Sequence, residues 1–395
     1  MDQFLNILGS GLEEAFAPAT AGLVIAVIGL NLHFGFTGLL NFGQAGFMLL
    51  GAYGFAISII EGLPMLLAVL VGLGLAIVFA LILGAPTLKL RGDYLAIVTI
   101  SAAEILRYVG RLNQLEDFTG GSQGLFGKDY NKPFVDASFL GDGRFTLSPF
   151  NYRDIADGAL WVRLLGLAVA IALIVLVVRV GRGIKTGNGP ALAGRPRLTL
   201  VLGILASLVA LFFTFPVTYD ATGIDGWWAR LVGWTLVAIA LLVTWLLVRS
   251  PWGRVLKGVR EDEDAMRSLG KNVFLLKMQA LVLGGMLGAL GGMVYVISSS
   301  VQADSLGRSV TFFAYTALLL GGAAAIFGPV LGTCIFFAGR LLIRELSAAY
   351  LPDSIMSDQQ SQQFSFIVVG IALMLLVIFR PQGILGDKRE LRFNV

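Results

Sequence analysis

The chain has 395 residues, 56% of them hydrophobic and 14% charged, with a formal net charge of +4. Soluble domains carry about 25% charged residues, so most of this surface is expected to face something other than water. A single cysteine, Cys334, and a single histidine, His33, exclude an internal disulfide, a cysteine zinc site and a clustered histidine metal centre.

Met1 to Ala17 contains Asp2, Glu13 and Glu14 but no Lys or Arg, so it does not read as a cleaved signal peptide. Apolar runs of membrane-crossing length then follow at roughly 17–33, 39–60, 65–84, 93–112, 161–180, 198–216, 231–249, 273–298, 311–328, 330–346 and 364–380. Strand-length alternation is absent, which argues against an outer-membrane barrel. The predicted fold is all-α, a polytopic transmembrane helix bundle of about 11 crossings. The pair at 311–346 is broken by Gly321, Gly322, Gly328, Pro329 and Gly332, and reads either as two crossings or as a re-entrant hairpin.

Basic residues set the orientation. They gather at Lys89 and Arg91, from Arg179 to Arg197, from Arg249 to Lys271, and from Arg380 to Arg392. The alternate connections, Val217–Ala229 and Ser347–Gln363, contain none. This predicts the N-terminus outside and the C-terminus inside, in a cell membrane of the inner or plasma type. The longest outside segment, about 112–160, is polar and carries Gly120, Gly121, Ser122 and Gly124. It is either a solvated loop or a partly structured element at the outer mouth.

Three stretches could carry function. Gly29 to Gly54 is rich in glycine and sets Asn41 and Gln44 three apart, on one helix face. Amides in lipid either bond across helices or line a pathway, and broken Gly-rich helices surround substrate sites in transporters. His33 is expected at a helix end near the interface. In Leu90 to Arg111, Glu104 falls near mid-span, where a carboxylate costs about 2.5–3.5 kcal/mol on insertion scales, and Arg107 lies one turn away. The pair is either structural glue or a polar patch on the translocation route. Arg249 to Asn272 reads as one short amphipathic cytoplasmic helix: Val255, Val259, Met266 and Leu269 share a face, Glu263–Arg267 and Arg260–Asp264 are spaced to pair, and Gly270 offers a stop. It is either a solvated loop helix or a helix that inserts into a groove on a partner. Gly284, Gly288 and Gly292 recur every fourth residue and read as packing.

The phosphate-loop pattern GxxxxGK[ST] does not occur, so any ATP used in transport is bound by another subunit and no cofactor is expected in this chain. The basic residues follow the topology, and nothing suggests nucleic-acid binding. No catalytic His pair or acid cluster points to an enzyme.

In this order, the three stretches resemble the LivM family of branched-chain amino acid ABC transporter permeases. The best-matched pieces are Gly29 to Tyr53, Leu90 to Arg107, Gly120 to Leu125 and Ser250 to Asn272, the last being the most specific; Gly321 to Gly332 matches a Gly-Gly…Gly-Pro…Gly segment. The resemblance implies an importer permease domain over 1–395; by their own chemistry Asn41, Gln44, Glu104 and Arg107 are the candidates for its translocation path. It implies coupling to an ATPase through Arg260, Glu261, Asp262, Glu263, Asp264, Ala265 and Gly270. The implied partners are a second permease, two ABC ATPase subunits, an extracytoplasmic solute-binding protein and the lipid bilayer. Two features depart from the family pattern. A two-helix insertion stands around 182–230, and Gln44 replaces a frequent His while Gln123 stands where an acid or amide is common. Urea and short-amide importers share this permease type, and a passive channel or secondary transporter is the alternative that needs no ATPase dock.

Overall fold

The computed structural model describes residues 2–88, 92–139, 144–147, 168–169, 171–172, 175, 217–220, 224–350, 358–379 and 382–386. The chain divides into two compact units, Met1–Gly9 with Asp142–Ala221 and Ser10–Gly141 with Thr222–Val395. In the first, strands β1 (Arg144–Leu147) and β2 (Val217–Asp220) pair antiparallel, Arg144 opposite Asp220. The all-helical expectation missed this ribbon because four-residue strands are too short for a period-2 signal to stand out. The crossing expected near 198–216, all but five residues of that near 161–180, and most of the insertion around 182–230 lie outside the described residues.

The rest is helical. In chain order come α1 (Asp2–Ala15), α2 (Pro18–Leu30), a π-helical segment (Asn31–Phe36), α3 (Gln44–Ile60), α4 (Met65–Thr87) and α5 (Gly92–Gly110). Three short helices follow, α6 (Glu116–Thr119), α7 (Gly127–Tyr130) and α8 (Lys132–Asp136). Then come α9 (Trp227–Arg249), α10 (Pro251–Glu261), α11 (Glu263–Ser268), α12 (Val273–Ile297), α13 (Arg308–Gly321), α14 (Gly328–Tyr350) and α15 (Asp358–Phe379). Local chemistry sets several boundaries. Pro18 and Pro251 open their helices at positions that need no N–H donor. Asn272 caps α12 by accepting from Leu275 N at 3.0 Å.

Four described helices are long and apolar enough to cross a membrane: Pro18–Phe36, Met65–Thr87, Trp227–Arg249 and Val273–Ile297. α4 shows how they suit lipid. Ala68, Gly72, Ala76 and Ala80 form its buried stripe, while Leu66, Leu70, Val78 and Ile82 point outward. Small residues inward and large apolar residues outward is the pattern of helices packing in hydrocarbon. α13 has 14 residues, a rise of about 21 Å against a core of about 30 Å. It is therefore too short to span that core alone, and it is joined to the longer α14 through a break at 322–327 flanked by Gly321 and Gly328.

The described connections of the larger unit gather at two ends. At one end, Leu125 and Val301 exchange backbone hydrogen bonds, Tyr130 Oη lies 2.7 Å from both the Val296 and Ser299 carbonyls, and Trp228 Nε1 donates to the Phe134 carbonyl. The segment 112–136 is thus a structured cap on the end of α12. Its left-handed glycines, Gly120, Gly121 and Gly124, make its turns. At the other end lie residues 37–43, α10, α11 and the 322–327 break, with Ile384 and Leu385 donating to the Leu320 and Gly321 carbonyls.

The core is a seam along α12, which packs on α2, α3 and α4. Gly284 lies against Gly29 and His33, Gly288 against Gln44 and Phe47, and Gly292 against the Met48 backbone. No side chain fits in that seam, so the every-fourth glycine pattern is a packing device, as expected.

Candidate functional site

Residues 250–272 form two helices rather than one. Asp262 (φ −154°, ψ 106°) breaks the run and restarts it, its carboxylate accepting from Asp264 N and Ala265 N at 2.9 and 3.0 Å. Gly270 (φ +73°) ends α11 in the left-handed conformation, as expected, with Lys271 N donating to the Met266 carbonyl at 3.1 Å. The break divides the expected apolar face. Leu256 and Val259 are buried, Met266 covers Gly258, and Leu269 stands 70% exposed. Glu263 pairs with Arg267 at 3.5 Å, but Asp264 takes Arg267 at 3.1 Å instead of Arg260.

The residues expected to couple to an ATPase thus separate into two groups. Arg260 and Glu263 turn toward the bundle, the guanidinium donating to the Gly35 carbonyl and the carboxylate pairing with the buried amine of Lys277. Glu261, Asp262, Asp264, Ala265 and Gly270 are exposed, together with Leu269 and Lys271. Leu269 is thus exposed in a connection rich in charged residues, and a crevice of about 290 Å³ in the same region is lined by Leu88, Arg267, Lys271, Asn272, Val273 and Phe274.

Asn41 and Gln44 sit in a buried polar network. Both are 0% exposed, as is His33. His33 is therefore a core residue and not an interfacial one. The π-helical widening of 31–36 places its ring 3.1 Å from the Leu281 carbonyl and 3.0 Å from Asn41 Nδ2. Asn41 reaches Gln44 Oε1 at 3.3 Å and accepts from Gly43 N at 2.9 Å, and Gln44 donates to the Ala26 carbonyl at 3.0 Å. Around them, Thr311 Oγ1 accepts from Ala45 N, Thr99 Oγ1 from Phe42 N, and Tyr315 donates to the Asn41 carbonyl. Asn41 stands in the 37–43 connection rather than on a helix face with Gln44, and in this conformation both amides are bonded within the protein and line no open channel.

Glu104 and Arg107 come together, as their spacing predicts, at 2.8 Å and 19% and 16% exposed. Glu104 lies two-thirds of the way along α5, closer to the 112–136 cap than mid-span. Arg107 also pairs with Asp304, which takes Arg111 at 3.3 Å. Sequence reasoning missed Asp304, which sits in a connection with no pattern. It also missed Lys277, whose lone charge near the start of an apolar run was a legible signal. Asn31 was missed too. Its side chain donates to the Ala325 carbonyl and accepts from Ala324 N, both at 2.9 Å.

The family model for branched-chain amino acid transport system permease components matches residues 15–188 and 191–378. The chain belongs to that family. The permease is 26% identical over 375 residues to the high-affinity branched-chain amino acid transport system permease protein LivM of Escherichia coli K12, covering 94% of this chain and 70% of the relative. To the Salmonella typhimurium LivM it is 27% identical over 376 residues, with the same shares covered. A shorter match, 33% over 116 residues, covers 29% of the permease and 33% of the autoinducer 2 import system permease protein LsrC of Klebsiella pneumoniae. No solved structure matches the chain. As a family member with several apolar helices, the permease is an integral membrane protein.

Proposed function

We propose that the chain is the membrane subunit of an ABC importer for branched-chain or related amino acids, and that a separate ATPase drives it through residues 261–271. The observation that carries this reading is the tip of α10 and α11. Its exposed half is unburied charge around Leu269, while its buried half is tied into the bundle through Arg260 and Glu263. A passive channel has no use for a braced partner surface of this kind. The tip faces the cytoplasm, with the N-terminus outside and the C-terminus inside, and about 11 crossings include the insertion around 182–230 within a single permease domain. A second permease completes the path, two ATPases dock below and bind the ATP, and a solute-binding protein docks on the outer cap. The membrane is the inner or plasma membrane.

The solute reading rests on the LivM relatives, whose match covers 94% of the chain against 29% for the LsrC relative. The cluster of Glu104, Arg107, Asp304 and Arg111 offers both signs of charge at the outer end, as a zwitterionic amino acid requires. Asn41 and Gln44 join the path only when their network opens. The test is reconstitution of the full chain with candidate ATPases, second permease and binding protein in vesicles. Leucine, isoleucine or valine uptake should require ATP and the ATPase. Solute moving down its gradient through the chain alone, with no ATPase and no ATP, ends the proposal.

A further inference from the structure

Arg260 points the wrong way for a docking residue. Its guanidinium donates to the Gly35 carbonyl, and Gly38 (φ +76°) lies so close that an added Cβ would stand 3.2 Å from Arg260 Cγ. One turn earlier on α10, Lys257 Nζ sits 5.8 Å from the Phe36 ring centroid. All three contacts land on the π-helical segment 31–36 or just after it.

That segment is the least regular stretch of its spanning helix. A π turn interrupts the α-helical hydrogen-bond ladder, and such turns are rare and short, so deformation concentrates there rather than in the flanking α turns. Its other side chains hold distant parts of the bundle. His33 reaches Leu281 and Asn41. Asn31 clamps both polar groups of the peptide region at Ala324 and Ala325. Ala324 carries φ +62°, a conformation that a non-glycine residue adopts only when its surroundings impose it. It lies in the break between α13 and α14, two residues after Gly322 (φ +110°). One element therefore touches the partner-facing tip on one side and a strained break in the bundle on the other.

We propose that Arg260 is a positioning residue that carries movement of the docked tip into the π-helical segment 31–36, and that this segment passes it through Asn31 to the 322–327 break. The inference rests on the reading of residues 261–271 as the ATPase dock. The second tie, Glu263 to Lys277, enters α12, a regular helix of 25 residues sealed against α2 and α3 by glycines. A load entering there shifts a stiff rod as a whole. A load entering at 31–36 bends the one compliant turn and is felt at Ala324.

The test uses the full reconstituted complex. Arg260→Met keeps the aliphatic stem and removes the donors, and Arg260→Lys restores one charged donor. With Arg260→Met, ATPase subunits should remain bound and ATP hydrolysis should continue, while solute moved per ATP falls by roughly tenfold, the scale of one lost hydrogen bond to a charged group. Arg260→Lys should fall between. Hydrogen exchange supplies a second measurement that needs no variant. In the wild-type complex, nucleotide binding by the ATPase should change amide exchange in 31–36 and 322–327, and Arg260→Met should abolish the change at 322–327. Unaltered solute per ATP, loss of the ATPase subunits from the variant, or nucleotide-dependent exchange confined to α12 each overturns the proposal. A wild-type chain that recruits no ATPase instead overturns the reading of the dock.

Discussion

Glu104 and Arg107 lie side by side near the end of α5 that meets the 112–136 cap, yet their contexts differ. Arg107 shares its charge with Asp304 and Glu104, whereas among the described residues Glu104 pairs with Arg107 alone. Replacing Glu104 with Gln keeps the shape and removes one negative charge, while Asp304 continues to satisfy the guanidinium. Uptake by Glu104→Gln is therefore expected to drop several-fold with membrane levels unchanged; normal transport would take Glu104 off the path. Asn31 belongs to the same scale but to structure. Asn31→Ala strands Ala324 N and the Ala325 carbonyl in a buried site, at a cost of about 1–3 kcal/mol for such unsatisfied groups. The expected result is a lower thermal unfolding temperature of the purified chain; an unchanged melting curve would mean that water replaces the amide.

At the level of elements, the α10–α11 tip separates bracing from contact. Charge reversal of Glu261 and Asp264 together changes the exposed half only, since neither pairs with the bundle in the structure. Co-purified ATPase should then fall by about tenfold or more, as central contacts dominate protein interfaces, and retention of the ATPase would show that the tip is a solvated loop. Reversing Glu263 would confound this by stranding Lys277. The division was half legible. The spacing of Glu263 and Arg267 pointed to helix, and Gly270 to its end. A continuous pattern from Val255 to Leu269 concealed the break, because Asp262 as an N-cap and Asp262 as one more surface acid look alike in sequence.

For the whole molecule, the described connections of the larger unit gather at two ends, one at the 112–136 cap and the other at the tip. The segment from Leu112 to Gly226 leaves and returns at the same end, where Trp228 meets Phe134 and α12 ends. Near the C-terminus, residues 382–386 lie at the end that carries the tip, where Ile384 and Leu385 donate to the Leu320 and Gly321 carbonyls. A reporter fused after Val395 should be active only in the cytoplasm. External activity would reverse the orientation and remove the tip from any cytoplasmic motor.

Composition and run length by themselves determined a membrane helix bundle, because a helix in lipid satisfies its own backbone and advertises itself as a long apolar run. The glycine stripe on α12 and the Glu104–Arg107 pair were equally local, resting on spacings of three and four residues. Only the tertiary structure decided the rest. His33 became a core residue because a π turn rotates it inward. Arg260 was turned from the partner to Gly35 because α10 lies against residues 31–38. Asn31 found Ala324, nearly three hundred positions away. Sequence records which groups need partners, but in a bundle whose helices meet far along the chain, packing chooses which partners they get.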